Sequence, residues 1–106
     1  MKTYKVETDF GTYEVELGVS EYINNGSLAI ELIDAEERDT FAVLTVNIEE
    51  EGADKETAYV DINDCPWAPK FIKENELGEF AGKYGESGFC VYPLYKFNLD
   101  KIKEVR

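Results

Sequence analysis

Apolar and polar residues alternate from Thr12 to Ser20, with Tyr13, Val15, Leu17 and Val19 on one side and Glu14, Glu16, Gly18 and Ser20 on the other. A period of two marks a strand with one buried face. A shorter run, Thr3 to Thr8, precedes it. Between the two, Asp9-Phe10-Gly11 supplies a glycine able to take positive φ, so the pair predicts a hairpin. Asn25-Gly26 is the strongest turn signal in the chain, because both residues accept the backbone that a type I′ turn demands, and a strand over Ser27 to Ile33 should follow. Beyond the polar cluster Asp34 to Asp39, Thr40 to Glu49 alternates again. Ala42, Leu44, Val46 and Ile48 oppose Phe41, Val43, Thr45 and Asn47, and two fairly apolar faces predict a central strand. Glu49 to Asp54 reads as a solvated loop and Thr57 to Ile62 as a further strand.

The pattern then changes period. Asn63 or Asp64 can cap a helix, proline is tolerated in its first turn, Trp67, Phe71 and Asn75 recur every fourth residue, and Gly78 suits the end. This predicts one main helix, Pro66 to Leu77. Trp67 and Phe71 dock it on the sheet, with a ligand-facing role for the two rings as the alternative. Glycines at 78, 82, 85 and 88 interleave with Phe80 and Tyr84, predicting a glycine-rich loop or edge hairpin, then a strand from Phe89 to Asn98. Pro93, lacking an amide, belongs at an edge or bulge. Asn98 caps a last helical turn through Leu99, Ile102 and Val105. The elements add up to an α+β fold, an antiparallel β-sheet meander with one main helix packed on it. The 106 residues form a single domain.

Charge changes this picture by its placement. Residues 1–56 hold 15 acids against 4 bases, and residues 57–106 hold 8 against 7, so nearly all of the net charge of −12 sits in the first half. Phosphate binding is driven by Lys and Arg, so direct nucleic-acid contact and anionic membranes are disfavoured and a basic protein partner is favoured. No apolar run approaches the length of a bilayer span and the start of the chain lacks an apolar leader segment, so the expected location is the cytoplasm. There Cys65 and Cys90 are expected as buried structural thiols.

The sequence contains no histidine, which removes the commonest general base and every Ser-His or Cys-His nucleophile pair. Gly78 to Tyr84 is one residue short of a phosphate loop and has tyrosine where the magnesium-binding hydroxyl must stand. Asp61-Ile62-Asn63-Asp64 starts like a calcium loop, but Pro66 and Ile72 occupy positions that require glycine and glutamate. No catalytic residue, cofactor or metal is therefore expected, and the protein reads as a non-enzyme.

Two sets of residues are candidate binding surfaces. Glu14 and Glu16 should project from one strand face about 7 Å apart, with Glu31, Glu36, Glu37, Asp39 and Glu49 to Glu51 on neighbouring strands or loops. Carboxylates in such a row can imitate a phosphate backbone, although acidity also serves simply to keep a small protein soluble. The second set is Tyr84, Tyr92 and Tyr95 with Phe80, Phe89 and Phe97. Such rings suit an interface or a homo-oligomeric contact, and equally a core.

Tyr22-Ile23-Asn24-Asn25-Gly26-Ser27-Leu28-Ala29-Ile30-Glu31-Leu32, Asn63-Asp64-Cys65-Pro66-Trp67-Ala68-Pro69, Tyr84-Gly85-Glu86-Ser87-Gly88-Phe89-Cys90 and Tyr92-Pro93-Leu94-Tyr95 resemble domain-of-unknown-function family 4313, over about residues 10–102. The resemblance implies a bacterial, mobile-element setting and carries no activity or catalytic residue. It brings to mind small acidic inhibitors of host nucleases. The first reading is thus a protein-binding module, a mobile-element accessory or nucleic-acid-mimicking inhibitor of a basic host protein. The alternative is a structural or oligomeric accessory protein.

Overall fold

The computed structural model describes residues 3–22, 26–48 and 56–102. Eight strands and two short helices follow one another as β1 (Tyr4–Thr8), β2 (Gly11–Glu21), β3 (Leu28–Asp34), β4 (Thr40–Val43), β5 (Thr45–Val46), β6 (Thr57–Val60), α1 (Ala68–Glu74), β7 (Gly78–Ser87), β8 (Cys90–Phe97) and α2 (Leu99–Ile102). The predicted single meander with a main helix is corrected to two four-stranded antiparallel sheets, ordered β1-β2-β3-β4 and β5-β6-β8-β7, with helices of only seven and four residues. The protein is mostly β.

The division happens inside the predicted strand Thr40 to Glu49. Up to Val43 the segment pairs with β3, and from Thr45 it pairs with β6. Leu44 is the pivot, since its amide donates to the Ile30 carbonyl in one sheet (2.9 Å) while its own carbonyl accepts from Asp61 in the other (2.9 Å). Thr45 completes the switch with its side chain, whose hydroxyl accepts the Ile30 amide (3.1 Å) and exchanges a hydrogen bond with the Tyr22 hydroxyl (3.0 Å). The segment is central, as both of its apolar faces suggest, but it serves two sheets in succession.

Between the sheets lies one core, in which Val6, Val15, Leu32, Leu44, Val60, Ile72 and Ile102 are fully enclosed. Burying each such side chain contributes about 1.5–3 kcal/mol. A smaller cluster of Ile48, Tyr59 and Leu94 covers the opposite face of the second sheet. There the Tyr59 ring lies on the backbone of β7, and a Cβ on Gly85 would sit 2.6 Å from it.

Local chemistry sets the connections. The first hairpin pairs Thr8 with Gly11, and the Thr8 hydroxyl accepts the Phe10 amide (3.1 Å) across the turn. Asn25 lies outside the described residues. The Tyr22 amide donates to the Ser27 carbonyl (2.8 Å) and ties the ends of the second hairpin together. The helix begins two residues later than predicted. Neither Asn63 nor Asp64 caps it. Asp61 instead accepts the Asp64 amide (3.1 Å) in a preceding turn, and Trp67 stands at the N-cap without a side-chain bond. It ends at Asn75, with Glu76 rather than Gly78 in the left-handed region (φ 55°). Gly78 is required for another reason, as a Cβ there would meet the Lys96 carbonyl oxygen at 2.5 Å.

Glycines 78, 82 and 85 belong to β7, the edge-hairpin alternative of the prediction. Pro93 lies where pairing of β8 with β6 has ended and the register against β7 shifts, so its missing amide breaks no regular ladder. Asn98 accepts the Lys101 amide (3.3 Å) and starts α2. Ile102 is buried, and Val105 lies outside the described residues. Helix α1 runs beside β1, where Asn75 Nδ2 donates to the Lys5 carbonyl (3.2 Å) and Lys70 pairs with Glu7 (3.1 Å). Among the described residues no helix is long and apolar enough to cross a membrane.

Candidate functional site

Strand alternation places Glu14 and Glu16 opposite the core-facing Val15 and Leu17. Glu31 pairs across from Gly18 and therefore joins the same outer face of the first sheet. The connection after β3 carries Glu36, Glu37 and Asp39, all exposed, beside that face. Its shape comes from Asp34, whose carboxylate accepts the amides of Glu36 (2.8 Å) and Glu37 (3.0 Å). The structure thus brings the six predicted carboxylates together, while Glu49 to Glu51 fall outside the described residues.

They are not equivalent. Glu16 is nearly enclosed and forms an ion pair with Arg38, which adopts left-handed backbone (φ 64°) in the loop above it. Glu31 is bonded to the Thr40 hydroxyl, and Glu14 accepts a long bond from Thr3 (3.5 Å). Glu14 remains exposed, as do Glu36, Glu37 and Asp39 on the loop.

The three tyrosines separate. Tyr84 and Tyr95 gather on either side of Phe80, with centroid distances of 5.2 and 6.0 Å, on the edge strand β7 and its neighbour. Burial, and then the neighbouring Tyr84, pushes the Tyr95 hydroxyl above its ordinary pKa. Tyr92 does not join them, because an odd spacing along β8 turns it to the other face, against the Ile48-Tyr59-Leu94 cluster. Its pKa is pushed up first by a hydrogen bond with the Cys90 thiol. Beside these rings, β7 and the hairpin tip expose Phe80, Tyr84 and Phe89.

A third feature was not legible in the sequence. A groove of about 630 Å³ opens between the β1–β2 turn, strand β4 and the segment 61–67. Tyr13, Phe41 and Trp67 form one side, with centroids 5.1 and 5.8 Å apart and successive planes inclined by 47° and 53°, so the rings make a bent wall rather than a flat stack. Trp67 thus packs against the core, as predicted, and also lines an open groove. Asp9, Asp61 and Asp64 stand among the lining residues, and none of the described lining residues is basic. Cys65, also in the lining, is buried with its thiol against the Val43 carbonyl (3.8 Å). Burial first, then the charges of Asp61 and Asp64, pushes its pKa up to about 11. Cys90, expected as buried, is only half-buried, and both thiols are free.

Among the described residues no three carboxylates or thiols converge where a metal could sit. Fold and site together define a small two-sheet antiparallel β protein that presents an acidic sheet face, an aromatic edge hairpin and an acid-lined aromatic groove. The sequence profile of a domain of unknown function, DUF4313, matches residues 16–106, and the chain belongs to that family. No curated protein and no solved structure matches it.

Proposed function

We propose that this protein is a non-catalytic protein-binding module whose partner is a basic protein. The observation that carries the reading is the placement of Glu14, Glu16 and Glu31 on one outer sheet face with Glu36, Glu37 and Asp39 at its end. A broad acidic surface attracts a basic one, speeds encounter and selects against acidic partners. The mobile-element setting implied by the family resemblance fits an inhibitor that occupies a nucleic-acid-binding groove in place of its ligand. A non-catalytic role is supported by the absence of histidine and by the high pKa of Cys65, since the thiolate is the nucleophile.

Tagged protein incubated with bacterial lysate at low and high salt tests this, with mass spectrometry of what is retained. A basic nucleic-acid-handling protein that is captured at low salt, released by high salt and lost with Glu14→Lys/Glu31→Lys supports the reading. Glu16 is left intact in that variant because its ion pair belongs to the fold. Retention unaffected by the substitutions sinks it.

A second reading, an oligomeric accessory protein, draws on the exposed rings of β7. Tyrosine and phenylalanine on an edge strand suit contact with a second chain. Concentration-dependent self-association weakened by Tyr84→Ala would favour it.

A further inference from the structure

The lining of the groove beside Trp67 restricts what can enter it. Three carboxylates, with no basic residue among the described lining, disfavour an anion on electrostatic grounds, and the same surroundings already hold the buried Cys65 in its neutral form. A bare metal ion is poorly served as well, since among the described residues the three carboxylates do not converge on one point, whereas hard cations need several oxygen ligands at once. An organic cation meets both demands. It is attracted both to the ring faces and to the carboxylates.

We propose that this groove receives the guanidinium group of an arginine presented by a partner protein, lying against the Tyr13, Phe41 and Trp67 wall with its charge answered by Asp61, Asp64 and Asp9. Arginine fits better than lysine for three reasons. Its head group is planar, it sheds water more readily than an ammonium, and it stacks on aromatic faces while presenting paired N–H groups to carboxylates. Asp61 is already oriented, because its Oδ1 accepts the Asp64 amide at 3.1 Å, which also fixes the backbone of its neighbour. The volume of about 630 Å³ exceeds the needs of one side chain and leaves room for flanking backbone. The proposal rests on the basic-partner reading for the class of partner, but uses a different surface from the acidic sheet face.

Trp67 is the single tryptophan of the chain, so tryptophan emission comes from a residue of this groove's wall. The 106-residue protein is titrated with the peptide acetyl-Gly-Arg-Gly-amide and with the same peptide carrying lysine or the uncharged analogue citrulline. A saturable change is expected with arginine, with citrulline weaker by about tenfold or more. Asp61→Asn/Asp64→Asn, which keeps the turn's hydrogen-bonding shape, should weaken arginine binding by a similar factor. Glu14→Gln/Glu31→Gln should leave it unchanged. Unfolding would show as a red-shifted emission in the free variant, and Asp9→Asn, on a different turn, provides an independent second variant. No saturable change with arginine up to about 10 mM, a range that covers even weak side-chain affinities, overturns the proposal, as does equal binding of citrulline or of lysine. If the groove fails while salt-sensitive capture through Glu14 and Glu31 persists, only this inference falls. If arginine binds but capture ignores Glu14 and Glu31, the acidic-face reading falls instead.

Discussion

The amide of Ile30 donates to the side-chain hydroxyl of Thr45 at 3.1 Å where a regular ladder would supply a carbonyl. A side chain thereby stands in for backbone at the point where the chain leaves one sheet for the other. Thr45 is almost wholly enclosed, so its removal strands a buried amide. Thr45→Val should destabilise the protein by about 1–3 kcal/mol and Thr45→Ser by distinctly less. Urea unfolding of the three proteins measures the difference, and equal midpoints for Val and Ser would remove the hydroxyl from the account.

Arg38 and Glu16 make a second pairing with a stability consequence. The carboxylate is nearly enclosed beneath the loop, and losing its partner leaves it costly to keep charged. Arg38→Ala should therefore cost more than Glu37→Ala, whose side chain is exposed on the same loop, and thermal melts of the two variants should separate clearly.

At Gly85 the limit is space. With the Tyr59 ring 2.6 Å from where a Cβ would stand, Gly85→Ala must push a fully buried aromatic aside. The expected loss is about 1–3 kcal/mol. Combining it with Tyr59→Leu should cost less than the sum of the two single changes, a coupling that a double-mutant cycle on denaturation free energies reads directly.

Cys65 makes stability depend on alkaline pH. Its folded-state pKa of about 11 lies above the ordinary 9.0, so the unfolded chain releases the proton first. The contribution is complete below pH 9.0 and is lost as pH rises from 9.0 to about 11. A Cys65→Ala variant should lack that segment of the decline. At pH 8 iodoacetamide should modify the half-buried Cys90 well before the enclosed Cys65, as mass spectrometry of tryptic peptides would show.

Much of the first sheet was readable because its signals are local: the strand around Val15 falls where the period of two puts it, and the strand around Ile30 follows the Asn25-Gly26 turn signal. The split at Leu44 was not, since the apolar alternation passes through it without interruption. Only the Thr45 hydroxyl and the Asp61 amide, distant in sequence, decide which sheet claims each residue. The helix boundary was missed for a similar reason. Asp61 spends its carboxylate on the turn before the helix, and the left-handed position falls to Glu76 because Gly78 is needed for a close backbone approach. The acidic face followed from parity along β2, whereas Tyr92 was grouped by composition with rings that strand parity sets on the other side. No local signal exists for the groove, whose walls come from β2, β4 and the 61–67 segment and meet only in the folded chain.

The Asn75 bond to the Lys5 carbonyl lays a helix along the free side of β1, the short β5 lies close to β3, and Cys65 sits against the Val43 carbonyl of β4. On the second sheet the border β7 is exposed along nearly its whole length. A second copy added through β7, strand to strand, would use up that border on both molecules, so addition there closes at a pair and does not extend into a fibre.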